Sequence, residues 1–350
     1  MKKRLLTHIC RTVAVLLFLF TVMAHCCDGV GEWYARALYP TLSLLLSLIS
    51  AVVPVSLEEL LAVAVALGLV GFIVMSVRKR KGWKHVLGRL LLAILGIYTW
   101  FYWGWGMNYY RDSIYQRVGC GKQHYDEEEF MDFLNAYTAR LNASYVSFTA
   151  VPMQEIEEAI KSQFAKVKRI YGLTEPQRFQ HPKRVMFGRL YSSVGVLGYM
   201  GPFFAESQLN PELLPSQLPF TYAHELSHLL GVASEAEANY WAYRVCTASE
   251  DERIRYSGYF GIFGYVAANA RKLLSKDDYA AWLSTVRQEV MEERMAQQDY
   301  WHERYDKTLG MLQDKVYDLY LRRNKISSGR KNYAEVVGYI ISLPDDCWRQ

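Results

Sequence analysis

Two histidines and a glutamate have the spacing of a metal-dependent hydrolytic site. The segment His224-Glu225-Leu-Ser-His228 has the pattern HExxH. On a helix, residues four apart share a face, so His224 and His228 can direct both imidazoles at one point. Zinc accepts neutral imidazole nitrogens as ligands. Glu225 lies next to this point and can act as general base towards a water molecule that the ion activates for attack on a carbonyl group.

A catalytic zinc ion needs a third protein ligand and one open coordination position. Gly231 follows the motif and is expected to turn the chain through a positive φ. A second helix is expected to start next, with Ser234 as its N-cap and Glu237 completing a capping box. This role for Glu237 makes Glu235 the preferred third ligand and Glu237 the alternative. Asn239 lies one helical turn beyond Glu235, where it can orient a ligand.

The two motifs resemble those of the gluzincin group of zincin metallopeptidases, in which HExxH is followed by Glu-x-x-Ala-Asp or Glu-x-x-Ala-Asn. The resemblance implies a catalytic base at Glu225, an orienting residue at Asn239, and zinc ligands at His224, His228 and Glu235. Only six residues separate His228 from Glu235, far fewer than in most gluzincins. The short gap is closer to the metzincin layout, in which a ligand follows the glycine by three residues. Ser234 occupies that position here and is not a usual ligand.

A second resemblance covers nearly the whole chain. Four landmarks are similar to those of a family of bacterial membrane proteins known only as a domain of unknown function: Gly106–Arg111, Pro219–His228, Glu235–Asn239 and Tyr256–Tyr259. That family is classed as zincin-like by its motif. The resemblance therefore implies the same zinc chemistry and leaves the substrate open.

In the zincin fold that these resemblances imply, the strand before the active helix pairs with an extended substrate. Residues 203–208 are the candidate edge strand, which makes Phe203 and Glu206 candidate substrate-binding residues. Glu206 is the candidate for contact with a basic group of the substrate. The alternative is that Glu206 is an ordinary acidic residue of a loop, without a role in binding. A hydrogen-bond donor to the oxyanion is also needed. The spacing does not select among the candidates Tyr256, Tyr259, His302 and Tyr305.

Three N-terminal segments, at about 12–27, 60–77 and 90–110, are predicted to span a membrane because they are long, apolar and without acidic or basic side chains. A cleaved signal peptide is the alternative for the first, but the residues at its end form a poor cleavage site. Segment 37–57 is also apolar. Two prolines interrupt it, so it is expected to lie at the membrane interface.

The distribution of charge indicates an orientation. Basic clusters lie at Lys2–Arg11 and Arg78–Lys84, and three spans place both on the cytoplasmic side, as the positive-inside rule requires. Residues 112–350 are then outside the cytoplasm. Up to Arg111 the chain has 12 Lys and Arg against 4 Asp and Glu, and the rest has 28 against 31. The slightly acidic domain argues against binding to nucleic acid.

Residues 112–350 are predicted to form one α+β domain. Strand-like segments lie at Arg184–Phe187 and Val194–Phe204, and the pattern is helical from Pro219 onwards. The predicted fold is therefore α+β, with three N-terminal transmembrane helices in residues 1–111, followed by a mostly helical zincin-like domain with a small sheet.

These observations predict a membrane-anchored zinc metalloendopeptidase of the bacterial inner membrane, with its catalytic domain on the periplasmic side. The expected partners are the lipid bilayer and a peptide or protein substrate of the envelope or membrane. The alternative is a catalytically inactive zincin-fold envelope protein that binds a metal or a partner. Loss of Glu225 separates the two, because a binding module should tolerate it.

Overall fold

A computed structural model describes residues 2–120, 126–323 and 335–343. The chain divides into two compact units. The first unit comprises Met1–Asp112 together with the later segment Gly201–Glu206, and the second comprises Ser113–Met200 and Ser207–Gln350. The sequence predicted a boundary near residue 111 but gave no sign that a short later segment joins the first unit.

The first unit is helical. Its helices are α1 (Lys2–Cys26), α2 (Val30–Trp33), α3 (Tyr39–Ala51), α4 (Leu57–Arg78) and α5 (Trp83–Gly104), with a π-helical turn at Tyr34–Leu38 and a 3₁₀ turn at Gly106–Tyr110. The Ser56 hydroxyl caps α4 by accepting a hydrogen bond from the backbone N–H of Glu59 (3.0 Å). Segment 37–57 forms α3 and the connection to α4, and Pro40 lies in the first turn of α3, where a missing N–H is tolerated.

Two helices in the described part of the chain, α4 and α5, are long and apolar enough to cross a membrane. The prediction of three such spans was therefore wrong for the first segment, at about 12–27. Within α1 the apolar stretch covers only Thr12–Cys26. At 1.5 Å per residue it is about 22 Å long, less than the ~30 Å thickness of the hydrocarbon core.

The segment Gly201–Glu206 is held within the first unit by polar and aromatic contacts. The buried Glu206 carboxylate accepts hydrogen bonds from the Ser50 hydroxyl (2.7 Å) and from the backbone N–H of Leu57 (3.1 Å). The ring of Phe203 packs edge-on against a tryptophan of α5. Glu206 thus lies at the N-terminus of α4, where the helix dipole favours a negative charge.

The second unit is also mostly helical. Its helices are α6 (Ile114–Val118), α7 (Glu127–Ser144), α8 (Met153–Phe164), α9 (Gly188–Ser193), α10 (Leu218–Leu229), α11 (Glu235–Thr247), α12 (Glu252–Leu273), α13 (Lys276–Leu283), α14 (Gln288–His302), α15 (Lys307–Arg323) and α16 (Val336–Ser342), with a 3₁₀ turn at Arg169–Tyr171. Asp126 begins α7 with a capping box to Glu129, and the acidic side chains of the first turn complement the helix dipole.

Three short strands form one sheet: β1 (Lys183–Arg184), β2 (Gly198–Gly201) and β3 (Glu206–Leu209). Their order is β1-β3-β2, and β1 runs parallel to β3 with Lys183 opposite Gln208. The α+β prediction therefore agrees with a mostly helical chain that has a small sheet. The prediction of an edge strand at 203–208 was wrong, because this segment ends in the central strand β3, and β2 lies at an edge.

Helix α11 lies at the centre of the second unit. The side chains of Tyr240 and Trp241 are fully buried, and small residues such as Ala238 and Ala242 let α10 and α12 pack closely against α11. This packing holds the first turn of α11 against the last turns of α10. It therefore brings the HExxH motif and the acidic segment after Gly231 together.

Candidate metal centre

Helix α10 presents the two motif histidines on one face. Their Nε2 atoms lie 3.2 Å apart. The helix ends at Leu229, and Gly231 turns the chain with a φ of 99°, as the sequence predicted. The Gly231 N–H donates to the His228 carbonyl (3.0 Å) and the Val232 N–H to the Ser227 carbonyl (3.1 Å), the bonds of a Schellman motif. This sharp end leaves the Val232 carbonyl facing the ring of His228.

Helix α11 supplies the carboxylate. Ser234 is the N-cap, and its hydroxyl accepts a hydrogen bond from the backbone N–H of Glu237 (3.3 Å). Glu235 is the first residue of the helix, and its Oε2 lies 3.1 Å from Nε2 of His224 and 3.4 Å from Nε2 of His228. The structure therefore groups the preferred third ligand with both histidines.

Glu237, the alternative ligand, has other partners. Its carboxylate lies 2.5 Å from the Arg117 guanidinium and accepts a hydrogen bond from the indole N–H of Trp241 (3.1 Å). Arg117 also donates to the Tyr171 carbonyl. Thus Ser234 is the predicted N-cap, but the Glu237 side chain forms a buried ion pair instead of the predicted bond back to the cap.

Hydrogen bonds fix the orientation of both imidazoles. Nδ1 of His228 lies 2.7 Å from the Val232 carbonyl, which can only accept, so this nitrogen carries a proton. Nδ1 of His224 lies 2.9 Å from Oδ1 of Asn239. With Nδ1 engaged in this way, Nε2 is the nitrogen that would bind a metal ion after losing its proton, the arrangement found for metal-binding histidines. Asn239 therefore lies where the sequence predicted an orienting residue.

The three candidate ligand atoms fit a tetrahedral metal site. Their separations are 3.1, 3.2 and 3.4 Å. Ligands at the ~2.0–2.1 Å typical of zinc, placed at tetrahedral angles, are about 3.3–3.4 Å from one another. Two imidazoles and one carboxylate are also the donor set of many catalytic zinc sites that keep a fourth position open. The residues therefore fit the ion that the sequence implied.

The electrostatics of the cluster favour a bound cation. Burial lowers the pKa of His228, but the carboxylates of Glu235 and Glu225 raise it by more, to about 9. Burial raises the pKa of Glu235, but His228 and His224 hold it well below its usual range. The buried carboxylate is therefore stabilised by a positive charge next to it, which a proton or a metal ion can provide.

Glu225 lies beside the ligands, against strand β2. Burial raises the pKa of Glu225 to about 7, in the range that suits a general base near neutral pH. A Cβ atom added to Gly198 would lie 2.9 Å from Cγ and 3.0 Å from Oε1 of Glu225. The backbone of an edge strand thus approaches the Glu225 side chain closely, and glycine permits this approach.

Tyr265 of α12 is a candidate oxyanion donor that was not among those selected from the sequence. Burial and the nearby Glu235 raise the pKa of its hydroxyl, whereas the neighbouring Asn239 side chain lowers it. The hydroxyl is therefore protonated at neutral pH and is a hydrogen-bond donor within electrostatic influence of the candidate ligand Glu235. The chain has 26 tyrosines, and no spacing relation connects Tyr265 with the HExxH motif.

The side chains that converge on the candidate metal centre do not include the substrate-binding candidates Phe203 and Glu206 or the oxyanion-donor candidate Tyr256. Phe203 and Glu206 belong to the first unit, and the Glu206 carboxylate is occupied by hydrogen bonds at the start of α4. The Tyr256 hydroxyl donates to the Glu293 carboxylate at 2.7 Å, so it is satisfied within the second unit. The position expected for an edge strand beside the site is occupied by β2.

Comparison with known proteins gives a family but no function. No curated protein and no solved structure matches the chain. A family model matches residues 34–341, which include α4, α5 and all the side chains of the metal centre. The chain therefore belongs to the family described as Protein of unknown function (DUF3810).

Proposed function

We propose that this protein is a membrane-anchored zinc metalloendopeptidase. The observation that carries the proposal is the convergence of three ligand atoms, Nε2 of His224, Nε2 of His228 and Oε2 of Glu235, within 3.1–3.4 Å of one another. A buried carboxylate with a pKa near 7, on Glu225, lies next to them. An edge strand that could align a peptide passes the same carboxylate.

Each residue of the site has a distinct role in this proposal. His224, His228 and Glu235 hold the ion, and Asn239 keeps the ring of His224 in the required orientation. When bound, zinc lowers the pKa of a water molecule towards 7 and polarises the carbonyl group under attack. Glu225 accepts the proton of the attacking water and returns it to the leaving amine.

Two elements beside the ligands complete the site. The Tyr265 hydroxyl is a neutral donor near Glu235, suited to stabilise the oxyanion that develops on the substrate. The edge strand Gly198–Gly201 is suited to pair with an extended peptide by β-augmentation. We therefore assign substrate alignment to β2 in place of residues 203–208.

We expect Gly198→Ala to reduce catalysis by about 10²-fold, the cost that a displacement of about 1 Å can have. The new methyl group would lie 2.8 Å from the Gln208 carbonyl oxygen and 2.9 Å from Cγ of Glu225, so the strand or the glutamate must shift. Two quantities are measured for each variant: kcat/KM for a cleaved peptide and the midpoint of thermal unfolding. Gly96→Ala is the control, because its added methyl group has no neighbour within 4 Å. Equal kcat/KM for both variants would contradict this placement of β2.

The two spanning helices support a periplasmic location for the site. The basic cluster Arg78–Lys84 extends from the last residue of α4 through the connection into the first turn of α5. By the positive-inside rule this connection lies in the cytoplasm, so the chain after α5 is on the outer face of a bacterial inner membrane. This orientation does not depend on α1. The tether raises the local concentration of envelope and membrane proteins, which are therefore the proposed substrates.

The test uses the full-length protein purified in detergent. Elemental analysis is expected to find about one zinc ion per chain in the wild type. His228→Ala is expected to lose that zinc, because an imidazole ligand is removed. Only the wild type should cleave members of a diverse peptide library, detected by mass spectrometry. Stoichiometric zinc without cleavage of any peptide would instead favour an inactive metal-binding module.

A further inference from the structure

A cavity of about 400 Å³ lies in the second unit. Its walls include Leu197 just before β2, the α10 N-cap Gln217, and Arg294, Gln297 and Trp301 of α14. His302 and Tyr305, considered above as donors, also line it. The volume lies within the range of ~300–1,000 Å³ found for ligand pockets.

Two residues of the cavity wall are next to elements described above for the candidate metal centre. Leu197 directly precedes Gly198, whose backbone approaches Glu225. Nη2 of Arg294 lies 2.7 Å from the position of a Cβ at Gly264, so the guanidinium packs against α12. The next residue is Tyr265, the proposed oxyanion donor, whose hydroxyl is influenced electrostatically by Glu235. A peptide aligned along β2 would therefore place a side chain or its terminus near this cavity.

Arg294 gives the cavity a positive charge. Nη1 of Arg294 donates to Oε1 of Gln297 at 2.5 Å. In the part of the chain that the structure describes, no carboxylate pairs with Arg294 or lines the cavity. Its electrostatic neighbours there are the neutral hydroxyls of Tyr265 and Tyr137.

A partly buried guanidinium without an acidic partner is costly, because burial removes water that stabilises the charge. In the same unit, Arg117 is buried but is compensated by the Glu237 carboxylate at 2.5 Å. Arg294 has an amide partner instead, and its planar group matches the two oxygens of a carboxylate. The missing counter-charge is therefore best supplied by a ligand.

We propose that this cavity is a specificity pocket and that Arg294 binds a carboxylate of the substrate near the cleaved bond. This inference rests on the proposed peptidase function. The carboxylate can belong to an acidic side chain or to the C-terminus of the substrate, because both offer the same chemistry to a guanidinium. An acidic substrate is the opposite of the basic one that Glu206 suggested from the sequence.

The test compares matched peptides with the full-length protein in detergent. Each pair differs only by Glu or Gln near the cleaved bond, and each is made with a free or an amidated C-terminus. We expect kcat/KM to be roughly 10- to 100-fold higher with the carboxylate than without it, as for a charge-assisted hydrogen bond. A difference between the Glu and Gln peptides assigns the carboxylate to an acidic side chain. A difference between the free and amidated peptides assigns it to the C-terminus. In Arg294→Gln this ratio should fall to about 1, and Arg294→Lys should restore part of it.

Arg287→Gln is the matched control, because Arg287 is an exposed arginine at the N-cap of the same helix and pairs with Glu289. It should keep the wild-type ratio. Peptide binding, measured by fluorescence anisotropy, separates this inference from the proposed function, since it needs no turnover. A carboxylate preference in binding that disappears in Arg294→Gln supports the pocket even if no peptide is cleaved. Equal cleavage and equal binding of every pair by the wild type would overturn it.

Discussion

Replacing Glu225 with glutamine is expected to abolish peptide hydrolysis while leaving the zinc content unchanged. The amide has nearly the shape of the carboxylate but cannot accept the proton of the attacking water. Loss of a general base typically costs about 10²–10⁴-fold in rate. Two quantities are measured on the full-length protein: kcat for a cleaved peptide and the number of zinc ions bound per chain.

Glu225→Gln should also fold well, which makes the result interpretable. Burial raises the pKa of Glu225 to about 7, so the site already disfavours the charged form, and a neutral amide removes this cost. The unfolding midpoint should therefore be unchanged or higher. If the variant cleaves peptides at the wild-type rate, Glu225 is not the base and the proposed mechanism is wrong.

The grouping of the candidate ligands was predictable because it depends on local contacts. His224 and His228 share a face since they are one helical turn apart, and the φ of 99° at Gly231 ends the helix where the glycine indicated. Glu235 follows at the start of the next helix. Spacing along a short stretch of sequence therefore suffices to group these side chains.

The surroundings of the site were not predictable, because they depend on contacts between distant segments. Residues 194–204 and 203–208 were both strand-like, and only the pairing of β1 with β3 makes β3 central and β2 an edge strand. Helical periodicity likewise places Tyr265 and Arg294 on helices without showing what they approach. The Arg294 guanidinium meets α12 at Gly264, one residue before Tyr265, and this contact joins segments 30 residues apart in the chain.

Neighbouring glutamates allow a matched test of the third ligand. Glu235→Gln is expected to weaken zinc binding by more than the roughly 10–100-fold that loss of an orienting partner costs, because a ligand charge is removed. Glu237→Gln should keep zinc. It should instead lower the free energy of unfolding by about 3–5 kcal/mol, because it leaves Arg117 without a counter-charge. The Arg117 and Glu237 side chains are only 2% and 8% exposed, so water cannot compensate.

Glu235→Gln should therefore lose zinc binding, whereas Glu237→Gln should lose stability. Added zinc stabilises a protein that binds it in the folded state, so it should raise the unfolding midpoint of Glu237→Gln but not that of Glu235→Gln. Elemental analysis and thermal unfolding with and without a chelator measure both effects. Retention of zinc by Glu235→Gln together with its loss from Glu237→Gln would transfer the ligand role to Glu237. The ion pair with Arg117 argues against that outcome, because Arg117 and a metal ion would compete for one carboxylate.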